Sequence, residues 1–156
     1  MPGILRVFII DDDYISNIVT ESILQRVGLS GAIHTYQNPK EALRFIQESY
    51  AEGTRPAGQD LIFLDVLMPL MDGDEFVTEL EKIPALSREH TAVVLLTGSE
   101  YPYHIKKFAQ FSSIKAHLIK PLTEEAIAHL LQRLYPAKKG NRRPEEGRAE
   151  EDREGG

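Results

Sequence analysis

Five short apolar runs, each followed by a turn and then a helix-like segment, constrain this 156-residue chain more than any other feature. The runs span residues 5–10, 32–36, 61–64, 92–96 and 114–119. They are continuous rather than alternating, the pattern of strands covered on both faces of a parallel sheet. Between the first two, Ile15, Ile18, Val19, Ile23, Leu24 and Val27 recur at helical spacing, with Gly28 as a stop signal. Asn38-Pro39-Lys40-Glu41 reads as a cap, a first-turn proline and a capping-box acid, opening a helix through Leu43, Phe45 and Ile46. Helices are expected over 75–83, ending before Pro84, and over 103–111. Thr123 caps a fifth, with Ala126, Ile127, Leu130, Leu131 and Leu134 on its buried stripe. Strict alternation predicts an α/β fold, a doubly wound five-stranded parallel sheet with five helices on its two faces. Right-handed crossovers leave few topologies for it.

The length suits one domain, placed at residues 1–136. Residues 53–59 are polar with Gly and Pro and read as a surface loop. Residues 137–156 hold six basic and six acidic side chains with almost nothing apolar, so a disordered charged tail is expected there. Those charges cancel, and the net charge of −6 falls on the body. An acidic body without a basic stripe argues against nucleic acid as a partner. With no cysteine, disulfides and thiolate metal sites are excluded. The first apolar run is broken by Arg6 and is too short for a membrane span, and it lacks the flanks of a signal peptide. A cytoplasmic protein with no membrane association is therefore expected.

In such a sheet, ligands bind beyond the carboxyl ends of the strands. Asp11, Asp12 and Asp13 follow the first strand, Asp65 closes the third, Thr97 the fourth and Lys120 the fifth. Singly, each has an ordinary explanation, since an acid after a strand often caps the next helix and a lysine before proline often faces water. Those explanations do not account for four strands ending on one rim in residues suited to phosphate or metal chemistry. Clustered carboxylates repel one another, and a cation is the usual remedy. The donors are hard oxygens, with no His or Cys among them, which favours Mg²⁺. A hydroxyl and an ammonium opposite the metal complete a cradle for a phosphoryl group, and a carboxylate can be its covalent acceptor.

Here the chain resembles the response-regulator receivers of two-component signalling, over residues 4–135. The family pattern is an acidic pair after strand one, Asp-x-x-Met-Pro-x-x-(Asp/Asn)-Gly after strand three, Ser/Thr after strand four and Lys-Pro after strand five. In this sequence these are Asp11-Asp12, the run from Asp65 through Met68-Pro69 to Asp72-Gly73, Thr97, and Lys120-Pro121. The resemblance implies a flavodoxin-like strand order 2-1-3-4-5 and a phosphoprotein that catalyses only its own phosphorylation and dephosphorylation. By it, Asp65 is the phosphoacceptor, Asp12 a direct Mg²⁺ ligand and Asp11 a ligand through water, while the Leu67 carbonyl supplies another. Thr97 and Lys120 contact the phosphoryl oxygens, and the peptide before Pro121 is expected to be cis.

Asp13 reads as a helix cap. Leu67 puts an apolar side chain two residues after the acceptor. His117 stands where the family most often has Tyr or Phe as a rotameric switch working with Thr97; its other reading is a half-buried histidine filling that slot. The output surface implied by the family includes Tyr101, Tyr103 and Lys107. The phosphoryl donor implied is a histidine kinase or a histidine phosphotransfer protein. No effector domain is recognised after the receiver, so a stand-alone domain signalling to a downstream protein by contact is expected.

A haloacid-dehalogenase-type phosphatase would share the aspartyl phosphate. It needs an acidic pair closing a further strand after the lysine, where only Glu124-Glu125 at a helix start remains. A flavin or nucleotide carrier would need a Gly- or Ser-rich loop in place of Asp11-Asp12-Asp13. A receiver used only for protein contacts would not need the full set of site residues.

Overall fold

The computed structural model describes residues 4–29, 31–50, 58–84, 86, 89–98 and 106–136. The elements run β1 (Ile4–Ile10), α1 (Tyr14–Arg26), β2 (Ala32–Tyr36), α2 (Pro39–Ser49), β3 (Gln59–Asp65), α3 (Gly73–Glu81), β4 (Thr91–Thr97), a short helical stretch α4 (residues 106–108), β5 (Ile114–Ile119) and α5 (Glu124–Leu134). The five strands form one all-parallel sheet in the order β2-β1-β3-β4-β5. The helix expected over 103–111 is described only from residue 106, and the chain has already turned at 109–110. Most of the expected surface loop lies outside the described residues, as do Tyr101, Tyr103 and the expected tail at 137–156.

The side-chain period of two sorts the central strands into two cores. Phe8 and Ile10 of β1, Ile62 and Leu64 of β3, and Val93 and Leu95 of β4 pack with Ala42, Leu43 and Ile46 of α2 and Phe76, Val77 and Leu80 of α3. Val7, Ile9, Leu61, Phe63, Val94 and Leu96 face the other way, onto Ile23 and Leu24 of α1 and Ile127, Leu130 and Leu131 of α5. Continuous apolar runs are needed because both faces are covered.

Helix starts follow local chemistry. Asp13 caps α1 by accepting from the Ile15 N–H at 3.0 Å, and Asn38 and Thr123 do the same for α2 and α5. Asp72 and Glu75 form a reciprocal capping box at α3. Gly73 lies at a close approach, where a Cβ would sit 3.2 Å from the Phe108 ring and 3.3 Å from the Val66 backbone, tighter than ordinary contact.

The apolar positions of α1 divide between core and surface. Ile23 and Leu24 are buried, but Ile15, Ile18 and Val19 are 63%, 45% and 47% exposed, while Asn17 and Thr20 are buried. The helix is apolar on its outer side and carries polar groups toward the sheet near the rim. Ala126 of α5 is likewise exposed, and Phe45 of α2 sits at the margin. No helix among the described residues is long and apolar enough to cross a membrane.

Candidate functional site

Sheet register builds the site. Ile10 pairs with Leu64, Asp65 with Leu96, and Thr97 with Ile119. The residues at or just after these positions, Asp11, Asp65, Thr97 and Lys120, therefore arrive together at the carboxyl rim. Backbone bonds extend the register into the loops, from the Val66 N–H to the Leu96 carbonyl at 3.1 Å and from the Lys120 N–H to the Thr97 carbonyl at 2.9 Å. The Lys120–Pro121 peptide is cis.

Asp11, Asp12 and Asp65 each present a carboxylate oxygen within 4.8 Å of the others. Their exposure is graded: Asp11 is buried, Asp65 is half-buried and Asp12 is exposed. Lys120 donates to Asp11 Oδ2 at 2.7 Å and lies 3.6 Å from Asp65 Oδ1. Three acids thus face one ammonium.

The electrostatics follow from that imbalance. Burial pushes the Asp65 carboxyl up to about 7, with the charge of Asp11 adding to the rise and Lys120 opposing it. Burial acts on Asp11 in the same sense, but hydrogen bonds from Lys120, the Asp13 N–H and Ser16 outweigh it, so Asp11 lies below the usual carboxylate range. Lys120 is raised: its burial is overcome by the hydrogen bond to Asp11 and the charge of Asp65. One carboxylate of the cluster is satisfied and another is held reluctant to ionise. That surplus of negative charge, carried by hard oxygens, fits a divalent oxygen-seeking cation.

The other expected residues fall as follows. Thr97 is buried, and its hydroxyl donates to the Leu118 carbonyl at 3.4 Å. Leu67 lies in the loop after β3 with its side chain 65% exposed. His117 lies on β5, an edge strand, and is exposed rather than half-buried. It borders a groove of about 200 Å³ lined by Leu95, Phe108, Phe111 and Ile114. Lys107, placed on the output surface by the family resemblance, pairs with Asp74 at 3.3 Å.

Two further residues of the site carry no motif that announces them. Ser16, in the first turn of α1, donates to Asp11 Oδ2 at 2.7 Å. Asn17, nine-tenths buried or more, donates through Nδ2 to the carbonyls of Asp11 at 2.9 Å and Tyr36 at 3.3 Å, locking the end of β1 to the end of β2. The available signal is their polarity at adjacent positions of an otherwise apolar helical stretch, flanked by Ile15 and Ile18.

Comparison with known proteins gives a consistent result. The sequence profile of the response regulator receiver domain matches residues 7–132. The chain is 30% identical over 100 residues to the histidine kinase CKI1 of Arabidopsis thaliana, which covers 61% of this chain but only 9% of that protein's length. It is 22% identical over 127 residues to the two-component response regulator ORR41 of rice, covering 81% of this chain and 91% of that one. Among solved structures, a two-component response regulator from Cytophaga hutchinsonii superposes with a TM-score of 0.71 at 26% identity, covering 85% of this chain and 97% of the other.

Proposed function

From the premise that this chain belongs to the response regulator receiver domain family, we propose that it accepts a phosphoryl group on Asp65 in a Mg²⁺-dependent reaction. The donor in this reading is a phosphohistidine of a histidine kinase or a histidine phosphotransfer protein. The observation that carries it is the convergence of Asp11, Asp12 and Asp65 within 4.8 Å, with the Lys120 ammonium beside them.

The residues have distinct tasks. An Asp65 carboxylate oxygen attacks phosphorus, the phosphorus–nitrogen bond to the donor imidazole breaks, and the imidazole leaves with the bonding electron pair. Asp12, Asp65 and the Leu67 carbonyl would hold the cation directly, and Asp11 would do so through water. When bound, Mg²⁺ supplies positive charge that lets Asp65 ionise beside Asp11 and offsets the charge of the phosphoryl oxygens. Lys120 meets those oxygens from the other side, and the Thr97 hydroxyl donates to one of them.

Output passes by protein contact to a downstream partner. Thr97 moves toward the phosphoryl group, and His117 on the adjacent strand changes its packing against the groove beside α4.

The test is labelling with a small acyl phosphate, read by intact mass spectrometry. One phosphoryl group is expected in the presence of Mg²⁺ and none in EDTA or in Asp65→Asn. Equal labelling of Asp65→Asn would remove Asp65 as the acceptor.

A further inference from the structure

Asp11 is more completely held than any other acid of the cluster. Its side chain is 1% exposed, its backbone N–H donates to the Tyr36 carbonyl at 3.1 Å, and its own carbonyl accepts from Asn17. On the carboxylate, Oδ1 accepts from the Asp13 N–H at 3.0 Å, and Oδ2 accepts from both Ser16 Oγ and Lys120 Nζ at 2.7 Å each. An ionised carboxylate offers about four acceptor sites, so the capacity left to a cation lies on Oδ1.

The two donors on Oδ2 differ in permanence. Lys120 has a flexible stem, a side chain 31% exposed, and a second partner in Asp65 at 3.6 Å. In the reaction proposed above its ammonium is also wanted by the phosphoryl oxygens. Ser16 is anchored in the first turn of α1, whose start is set by the Asp13 cap, so its hydroxyl reaches Asp11 from a rigid element. Its short side chain has one torsion to the oxygen and donates its single proton to this carboxylate.

We infer that Ser16 is a positioning residue: it keeps the Asp11 carboxylate turned with Oδ1 toward the cation when Lys120 leaves Oδ2 for the phosphoryl group. This rests on the reading of Asp11 as a metal-site acid. Groups that orient a metal ligand through a hydrogen bond commonly matter about 10–100-fold in metal affinity or activity. Without the hydroxyl, Asp11 Oδ2 depends on Lys120 alone, so cation binding and phosphoryl contact compete for one ammonium.

The experiment compares Ser16→Ala with Ser16→Thr, which keeps a hydroxyl. Mg²⁺ is titrated by calorimetry into the unphosphorylated 156-residue chain, and the Mg²⁺ concentration for half-maximal labelling by a small acyl phosphate is measured in parallel. Ser16→Ala is expected to weaken Mg²⁺ binding about tenfold and to shift the labelling midpoint by a similar factor, whereas Ser16→Thr matches the wild type. Wild-type affinity in Ser16→Ala, or equal losses in the Ala and Thr variants, would overturn the assignment, as would a wild-type chain that binds no Mg²⁺. The two readings fail separately: if Asp65→Asn labels normally while Ser16→Ala alone weakens Mg²⁺, the acceptor is misassigned and Ser16 still positions Asp11.

Discussion

The strands β1 and β3 carry a charge cluster at each end, built on opposite rules. At the amino end, the Arg6 guanidinium grips Asp60 with two parallel bonds, Nε to Oδ1 at 3.0 Å and Nη2 to Oδ2 at 2.7 Å. The Tyr50 hydroxyl adds a third at 3.1 Å, and all three residues are buried. One positive charge meets one negative, and the geometry is the planar fork that suits guanidinium and carboxylate. At the carboxyl end three acids meet one ammonium, and the acid in the middle is pushed up to about 7. The balanced end is complete without any ligand. The unbalanced end is left wanting positive charge, and the region of mismatch is where chemistry becomes possible.

The largest effect expected from this contrast is on the balanced end. Asp60→Ala strands a buried guanidinium and should cost about 3–5 kcal/mol in urea unfolding. Replacing the pair together, Arg6→Met with Asp60→Leu, should cost much less, because no uncompensated charge remains. If the single change is as mild as a surface substitution, the amino-end cluster is not a structural lock.

The unbalanced end should respond in the opposite direction. In the fold the Asp65 carboxyl prefers to be neutral, at about 7 against an ordinary 3.8. Its contribution to stability is therefore fully present below about pH 4 and is lost as pH rises through about 7. In EDTA at pH 8, Asp65→Asn should be more stable than wild type by about 2 kcal/mol, less than the full linkage because a partly exposed site relaxes around the charge. The gap should close on acidification, as thermal melts across that range would record. A mutant less stable than wild type at pH 8 would mean that the carboxylate is compensated where it stands.

The smallest change in stability is expected at Asp12, the exposed member. Asp12→Ala removes one like charge from the rim and should alter metal-free stability by no more than about 0.5 kcal/mol, with no loss. Its Mg²⁺ affinity by calorimetry should nevertheless fall. A clear destabilisation in EDTA would move Asp12 from the chemical side of the comparison to the structural one.

Much of the carboxyl end is legible in the amino-acid sequence. The acids and the lysine stand next to apolar runs, and a strand's end fixes the rim on which its next residue emerges. The amino end is not legible in this way. Arg6 interrupts an apolar run and reads as a break in it, and Asp60 lies 54 residues away with nothing local to announce the pairing. The inward face of α1 is hidden for a related reason. Periodicity shows that Ile15, Ile18 and Val19 share a side with other apolar residues, but not which side meets the sheet. Near the rim that side is taken by Asn17, whose amide donates to the Asp11 and Tyr36 carbonyls as no isoleucine could.

A few neighbouring residues are enough to set the alternation of strand and helix, the caps Asp13, Asn38 and Thr123, and the acids and lysine that follow strands. These features rest on backbone donors and side-chain periods that act over one or two turns, so a linear reading reaches them. The choice of charge partners needed the folded molecule. Lys120 takes Asp11 at 2.7 Å in preference to Asp65 at 3.6 Å, and Ser16 shares the same oxygen. That choice depends on sheet register and on the depth of each carboxylate. A charge interaction strengthens steeply as water is excluded, and exclusion is a property of the packed whole.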